Sequence, residues 1–438
     1  MMSRRFRWEG LVALLVSVIC YGLIAYRFQR YESVPLSVCL IVLFLVYAWM
    51  LICGSLPDMN QVVAAAMVLR LVFLVSIPSL SDDVYRFLWD GWLWDHGYDP
   101  FLHTPRAYMG MGVGEPQLFA LLGNQGSHTV YPLIPMGLSR LAVHLSDDLT
   151  IRIVILRVAH LSAEMGTLIL MAGLFRRWRL PASSISAYAF NPLVILELTG
   201  NLHHEAFVVF FLMAAIRMLD RSRDVAAGVL FAGAVASKLL PLIFLPGWLA
   251  LLGRKRGLRF VAVVIAVAGM ALSLQLSAGF LKGMGSGLGL YFNRFEFNAS
   301  LWYLIRETGT MLTGYNIIRI AGPVMVLCGG VLILVIAFRN GIGGTDREWR
   351  SRLAGSSIIS LTIYLVFATT VHPWYLAPLV ALAAPAGCFY PLAWSGLAMF
   401  TYLGYQRTGF SENWWVVTTE YLVVFVLIMF EWKKLQKH

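Results

Sequence analysis

Charge is what this chain lacks most. Only 13% of its 438 residues are Asp, Glu, Lys or Arg, about half the share carried by soluble domains. That shortfall excludes an ordinary water-soluble globule. Cysteine is scarce too. The five present (Cys20, Cys39, Cys53, Cys328 and Cys388) lie in apolar runs with no ligand spacing. They read as small apolar fillers, which excludes a disulfide framework and a thiolate metal centre. No internal repeat of the kind that marks many transporters is visible. No small-residue cleavage pattern follows the first apolar run, so that run is expected to be retained.

What fills the chain instead is apolar: 59% of residues are hydrophobic and the mean hydropathy is +0.73. Apolar runs recur from end to end, near Leu11–Tyr26, Leu36–Cys53, Gln61–Ile77, Ile151–Phe175, Ile185–Thr199, Phe260–Leu276, Ile318–Phe338 and Val416–Phe430. This pattern predicts an all-α, polytopic transmembrane bundle, with about 14 spans (range about 11–14). Two short segments, Val225–Ala236 and Leu239–Leu252, read as a broken hairpin with Lys238 at its apex. Half-length helices are tolerated where they line a cavity.

Basic residues gather on one side of this scheme. Arg4, Arg5 and Arg7, then Arg176, Arg177 and Arg179, Arg254-Lys255-Arg256, Arg339, Arg347, Arg350 and Arg352, and finally Lys433, Lys434 and Lys437 all fall in loops or tails of the same sign. The positive-inside rule then places both termini in the cytoplasm. It also explains the net charge of +11 without a nucleic-acid partner. Residues 1–438 read as a single unit. Residues 78–150 form a first large outer loop of short interfacial helices, and 277–315 form a second.

Four polar clusters then fall on the outer side, far apart in sequence. The first is Ser81-Asp82-Asp83-Val84-Tyr85-Arg86-Phe87-Leu88-Trp89-Asp90-Gly91. Ser81 suits a helix cap, with Asp82 and Asp83 in the first turn, where the dipole favours anions. Asp82, Arg86 and Asp90 share one face by four-residue spacing. The stretch is therefore either a capped, salt-bridged helix or the seat of a carboxylate base kept ionised by a neighbouring arginine. The second cluster, His203-His204-Glu205, is a polar collar or a sugar or phosphate site. Adjacent helical residues do not converge on one ion, so a metal is not expected there. Lys238 either snorkels to the interface or offers a cation to a phosphate. Tyr291-Phe292-Asn293-Arg294-Phe295-Glu296-Phe297-Asn298 alternates aromatic and polar side chains, as an interfacial belt does, and as a cover for a sugar and a lipid chain also would. His372-Pro373-Trp374-Tyr375 closes the set. Arg70 and Glu164 lie inside spans and are expected to pair with each other.

Taken in order, Ser81-Asp82-Asp83-x-Tyr85-Arg86-x-x-Trp89-Asp90-Gly91, Asn191-Pro192-Leu193 with His203-His204-Glu205, Lys238-Leu239-Leu240-Pro241, Phe295-Glu296-Phe297-Asn298 and His372-Pro373-Trp374-Tyr375 resemble the GT-C superfamily of integral membrane glycosyltransferases. The set is most similar to bacterial polyprenyl-phosphate-mannose-dependent mannosyltransferases. The resemblance runs from Ser81 to Tyr375. It implies an inverting transfer of a sugar, mannose by that likeness, from a polyprenyl-phosphate donor to an acceptor hydroxyl on a lipid, glycan or protein. The reaction would take place at the outer, periplasmic face of the inner membrane. It implies a catalytic carboxylate at Asp82 or Asp83, with Asp82 favoured as base and Asp83 positioning the acceptor. Lys238, Arg294, His372 and Arg86 are the candidates for the donor phosphate. His203, His204, Glu205, Tyr291, Glu296, Asn298, Trp374 and Tyr375 are the candidates for sugar and acceptor. No cofactor and no metal are expected. No large soluble C-terminal domain is expected either, so acceptor recognition falls to the outer loops. The competing reading is a flippase or other transporter of lipid-linked sugars. The absence of repeat symmetry weighs against it.

Overall fold

The computed structural model describes residues 2–53, 56, 58–341 and 349–437, and their side chains except at 2–7, 292, 340–341 and 432–437. The expected inner-side residues Arg4, Arg5, Arg7, Arg347, Lys433, Lys434 and Lys437 lie outside the described positions or side chains. The architecture is all-α. The strands among the described residues are the two-residue pair Tyr405–Gln406 and Gly409–Phe410, antiparallel to each other.

Six helices are long and apolar enough to cross a membrane, and seven if one bent pair counts as a span. They are Trp8–Tyr26, Ser33–Cys53, Leu149–Arg177, Leu240–Ser273, Ile318–Arg339 and Trp414–Glu431, and the bent pair is Pro192–Gly200 with Glu205–Leu219. Further apolar helices accompany them. Met59–Leu71, Leu133–Leu145, Asp224–Ser237 and Pro373–Ala386 are apolar but short, below the roughly 20 residues a crossing needs. Much of their apolar surface faces other helices: Val62, Ala66 and Leu69, for example, are buried in the main core. An apolar run in sequence does not separate burial in protein from burial in lipid.

Local chemistry sets the ends of these elements. Asp148 caps Leu149–Arg177 by accepting from Ile151 N at 2.9 Å, and Arg176 and Arg177 stand in its last turn, where the dipole favours cations. The helix Leu245–Ser273 is interrupted at Gly253, with φ 72° and ψ 172°. A Cβ on Gly257 would meet the Leu249 carbonyl, so the chain doubles back there and puts Arg254-Lys255-Arg256 at the turn.

Residues between Asp83 and Leu145 build four helices: Asp83–Asp95, Pro105–Gly110, Pro116–Ala120 and Leu133–Leu145. They enclose a small core of their own, around Phe87, Leu88, Trp89, Leu93, Tyr108 and Leu118. Gly91 is what lets Asp83–Asp95 lie directly on Leu133–Leu145. A Cβ there would stand 2.5 Å from the Ser139 carbonyl carbon. The segment after Phe280–Asn293 is fixed differently. Phe297 N donates to Thr369 O at 3.2 Å and Val371 N donates to Phe297 O at 2.8 Å. That bridge carries the aromatic segment to His372.

Candidate active site

The helix Asp83–Asp95 begins one residue later than the serine cap anticipates. Asp83 N donates to Ser81 Oγ at 3.3 Å, while Asp82 holds the cap position without a side-chain bond to the helix. The two carboxylates diverge from there. Asp82 pairs with Arg30 at 3.1 Å, and Arg30 in turn lies over the Tyr405 ring. Arg86 turns to Asp90, at 3.0 and 3.1 Å, and to the Ser127 carbonyl at 3.0 Å. Asp82 is thus not part of an ion pair on the Arg86–Asp90 face.

Asp83 faces the opposite way, towards the histidine pair. Its nearest ionisable partner is His203 Nδ1, 3.7 Å from Oδ2, and its side chain keeps 35% exposure. Partial loss of water raises its pKa above the ordinary carboxylate value. His203 pulls it back down, Asp82 pushes it up, Lys238 pulls it down and Glu205 pushes it up.

The sequence around the histidines is built to break a helix. Asn191 caps Pro192–Val194 through Val194 N at 3.3 Å, with Pro192 in the first turn. A π turn, Ile195–Gly200, follows, in which Asn201 N bonds to Leu196 O at 2.8 Å. Single π turns gather at functional sites. Leu202 then takes a positive φ of 64°, an uncommon conformation for a branched side chain. The axis bends by 113° before Glu205–Leu219 begins. Carbonyls freed at this break cannot be left bare in a membrane protein. Arg157, wholly buried, satisfies two of them, Thr199 O and Gly200 O at 2.9 Å, and donates as well to Ser76 O at 2.6 Å.

The bend collects side chains from distant parts of the chain. His203 stacks on Trp374, with centroids 3.6 Å apart and planes at 15°. Trp374 stacks on His372 at 4.3 Å and 6°. Loss of hydration pushes the His372 imidazole well below its usual pKa, with His203 and Lys238 adding to the effect, and its Nδ1 has no hydrogen-bond partner. Lys238, the residue that caps Asp224–Ser237, pairs with buried Glu205 and lies 4.2 Å above the Tyr375 ring. Burial and the Asp83 charge push Tyr291 up to about 12. Asp83, His203, Glu205, Lys238, Tyr291, His372, Trp374 and Tyr375 therefore form one constellation.

Other expected residues stand apart from it. His204 is enclosed by Phe87, Tyr131, His160 and Phe207, with neither ring nitrogen bonded. Arg294 is exposed. Glu296 is held by Arg306 and Asn316, both at 2.6 Å. Asn298 is buried against Glu412 and Glu420, and so locks the C-terminal helix. Among the described residues no group of three His, Cys, Asp or Glu side chains is disposed to hold a metal ion.

Sequence reasoning missed Glu197. It is fully buried and lies 3.2 Å from His203 Nε2. Tyr402 Oη donates to it at 2.7 Å and Asn201 Nδ2 at 2.9 Å. The one signal was a lone carboxylate inside an apolar run, six residues before a histidine pair.

Chemically, the constellation offers a recessed carboxylate at a water-accessible mouth, a histidine at its flank, a lysine nearby and a wall of aromatic rings. Comparison with known proteins gives this arrangement a family. A family model described as "Alpha-(1->6)-mannopyranosyltransferase, N-terminal domain" matches residues 15–254, more than half of the chain. It takes in Asp83, Glu197, His203 and Lys238. The chain is similar to Alpha-(1->6)-mannopyranosyltransferase A of Mycobacterium tuberculosis, 25% identical over 346 residues, covering 71% of this chain and 62% of that protein. It is similar to Alpha-(1->6)-mannopyranosyltransferase A of Corynebacterium glutamicum, 23% identical over 396 residues, covering 81% and 76%. It is also similar to the B enzyme of that organism, 22% identical over 333 residues, covering 69% and 55%. The matched chain thus spans less than two thirds of the Mycobacterium relative's length.

Proposed function

The chain belongs to the alpha-(1->6)-mannopyranosyltransferase N-terminal-domain family, and on that premise we propose that it is a membrane-embedded mannosyltransferase whose base is Asp83. Mannose moves from a polyprenyl-phosphate donor to an acceptor hydroxyl, at the periplasmic face of the inner membrane. The observation that carries the assignment of the base is the divergence of the two aspartates. Asp82 is held by Arg30 at 3.1 Å, while Asp83 keeps a partly exposed carboxylate beside His203 and within the fields of Lys238 and Glu205.

The step is a single displacement. Asp83 takes the proton of the acceptor hydroxyl as its oxygen attacks the anomeric carbon. The bond from that carbon to the phosphate oxygen breaks, its electron pair leaves with polyprenyl phosphate, and the anomeric centre inverts. A phosphate leaves without a strong general acid, so what it needs is a fixed positive field. Lys238 supplies that field. His372, neutral at its recessed site, offers a hydrogen bond through a nitrogen that has no partner within the protein. Trp374, stacked between His203 and His372, and Tyr375, under Lys238, present ring edges to the sugar.

The test is transfer from labelled polyprenyl-phosphate mannose to a mannoside acceptor by the purified chain in vesicles, with the anomeric configuration of the product read by NMR. A new mannosidic bond of inverted configuration is expected. Retained configuration would refute the single displacement, and donor crossing the vesicle bilayer with no transfer would refute the enzyme.

A further inference from the structure

Glu197 is expensive where it stands. It is wholly buried, and burying a carboxylate is costly unless it is paired and hydrogen-bonded. Among the described residues no Lys or Arg pairs with it. Its hydrogen-bond donors are Tyr402 at 2.7 Å and Asn201 at 2.9 Å, both neutral, and the His203 imidazole lies against it with Nε2 at 3.2 Å. His203 is therefore its basic neighbour among the described residues.

The backbone is shaped to bring these two residues together. Six residues apart on a regular helix, two side chains point roughly 120° away from each other. The π turn and the positive φ of Leu202 abolish that separation, and His203 N closes on Glu197 O at 3.0 Å. The imidazole is then fixed on three sides. Glu197 holds Nε2, Trp374 covers one face at 3.6 Å, and Nδ1 stands 3.7 Å from Asp83 Oδ2. The other titratable groups interacting with it are His160, His204 and, beyond Trp374, His372, with Lys238 close by at Glu205.

We propose that Glu197 is a positioning residue, which fixes the orientation and proton placement of His203 and through it the carboxylate of Asp83. The inference rests on the reading of Asp83 as base. Glu197 touches no reacting atom. Its effect is transmitted along Glu197–His203–Asp83, the orienter–imidazole arrangement of a hydrolytic triad with a carboxylate in place of the nucleophile.

A double-mutant cycle in the full chain tests this, using Glu197→Gln, His203→Asn and the pair together, with kcat and the donor KM measured in vesicles. Each single change is expected to lower kcat about 100-fold, the size of effect that a misplacement of about 1 Å produces. The donor KM should stay within a few-fold. Because the two residues act as a unit, the pair should be no worse than either alone. Losses that multiply, or a Glu197→Gln variant with wild-type turnover, would overturn the proposal. If Glu197→Gln does not fold, His203→Asn decides: a loss of about 100-fold in kcat supports the chain of contacts, and normal turnover refutes it. The two readings fail separately. Turnover retained in Asp83→Asn sinks the base, whereas a dead Asp83→Asn beside a normal Glu197→Gln sinks only the positioning role.

Discussion

Two groups of charged residues lie deep in this protein, and they differ in how completely their partners are used up. Around Arg70 and Glu164 almost everything is used: Arg70 Nη2 meets Glu164 as an ion-pair contact without hydrogen-bond geometry, and the other polar atoms are bonded. Both side chains are wholly buried and stand 2.8 Å apart. Arg70 Nε also donates to Glu164 at 2.9 Å, Tyr188 Oη takes the other carboxylate oxygen at 2.6 Å, and Arg70 Nη1 donates to the carbonyls of Ala66 and Ala189. Around His203 the account is open at one end. Glu197 is saturated, but Asp83 has a single flanking imidazole at 3.7 Å and keeps an exposed edge. His372 Nδ1 has no hydrogen-bond partner among the described residues. The closed network ties three helices together. The open one leaves bonding capacity for something that is not protein. Residue type does not separate the two groups, since both are carboxylates beside cations. The accounting of partners does.

That contrast can be broken or sharpened by experiment. The largest expected effect on stability is at the closed network. Arg70→Met strands Glu164 as an uncompensated buried charge, at a cost of about 3–5 kcal/mol. Thermal unfolding in detergent should show a large drop, with little folded protein recovered. A variant that melts like the wild type would remove the distinction between the two networks. The second effect is its reversal. Arg70→Met with Glu164→Leu removes both charges, and such exchanges are often neutral or better, so most of the lost melting temperature should return. If the pair melts no higher than Arg70→Met alone, the loss was one of shape, not charge.

The third effect belongs to the open site and is a pH dependence. A base must be ionised to work, and the Asp83 pKa is raised, chiefly by loss of water. Activity is therefore present above that raised pKa and lost as pH falls through it. The acid limb of kcat/KM should lie above the ordinary carboxylate value of about 4. A limb at or below that value would show that the group seen kinetically is not Asp83 in this environment. A smaller effect concerns the family resemblance itself. Arg294 is exposed and stands apart from the constellation, so Arg294→Gln should change donor KM by less than about threefold, a difference under roughly 1 kcal/mol. A tenfold rise would bring Arg294 back among the phosphate ligands.

Much of this was legible in the sequence. Charge scarcity and long apolar runs gave a polytopic helical protein. Asp83, His203, Lys238, His372 and Trp374 were each chosen as polar or aromatic residues at the ends of apolar runs. They converge because a bent helix and a short backbone bridge bring those ends together. What was not legible depends on local geometry that leaves no periodic mark. Which of Asp82 and Asp83 is the base was not fixed by spacing, and the helix cap lies one residue away from where Ser81 suggested. Glu197 was hidden because a π turn shifts the side-chain register, so no helical spacing connects it to His203. Asn298 sat in a promising motif, yet its partners are Glu412 and Glu420, more than a hundred positions further on. Apolar runs alone do not fix the number of spans, because hydropathy scores a helix buried in protein and one buried in lipid alike.

The central claim is that the open end of the network, Asp83, accepts the proton, and its neighbour Asp82 does not. The direct measurement is the initial transfer rate of Asp83→Asn beside Asp82→Asn, in the same vesicles with the same donor, on protein shown to melt like the wild type. The account predicts a loss of about 100- to 10,000-fold for Asp83→Asn, the range a general base supplies. For Asp82→Asn, whose partner is the half-buried Arg30, it predicts a loss of about threefold at most, in keeping with the small worth of ion pairs that water still reaches. The reverse order, or equal losses in both, would contradict it.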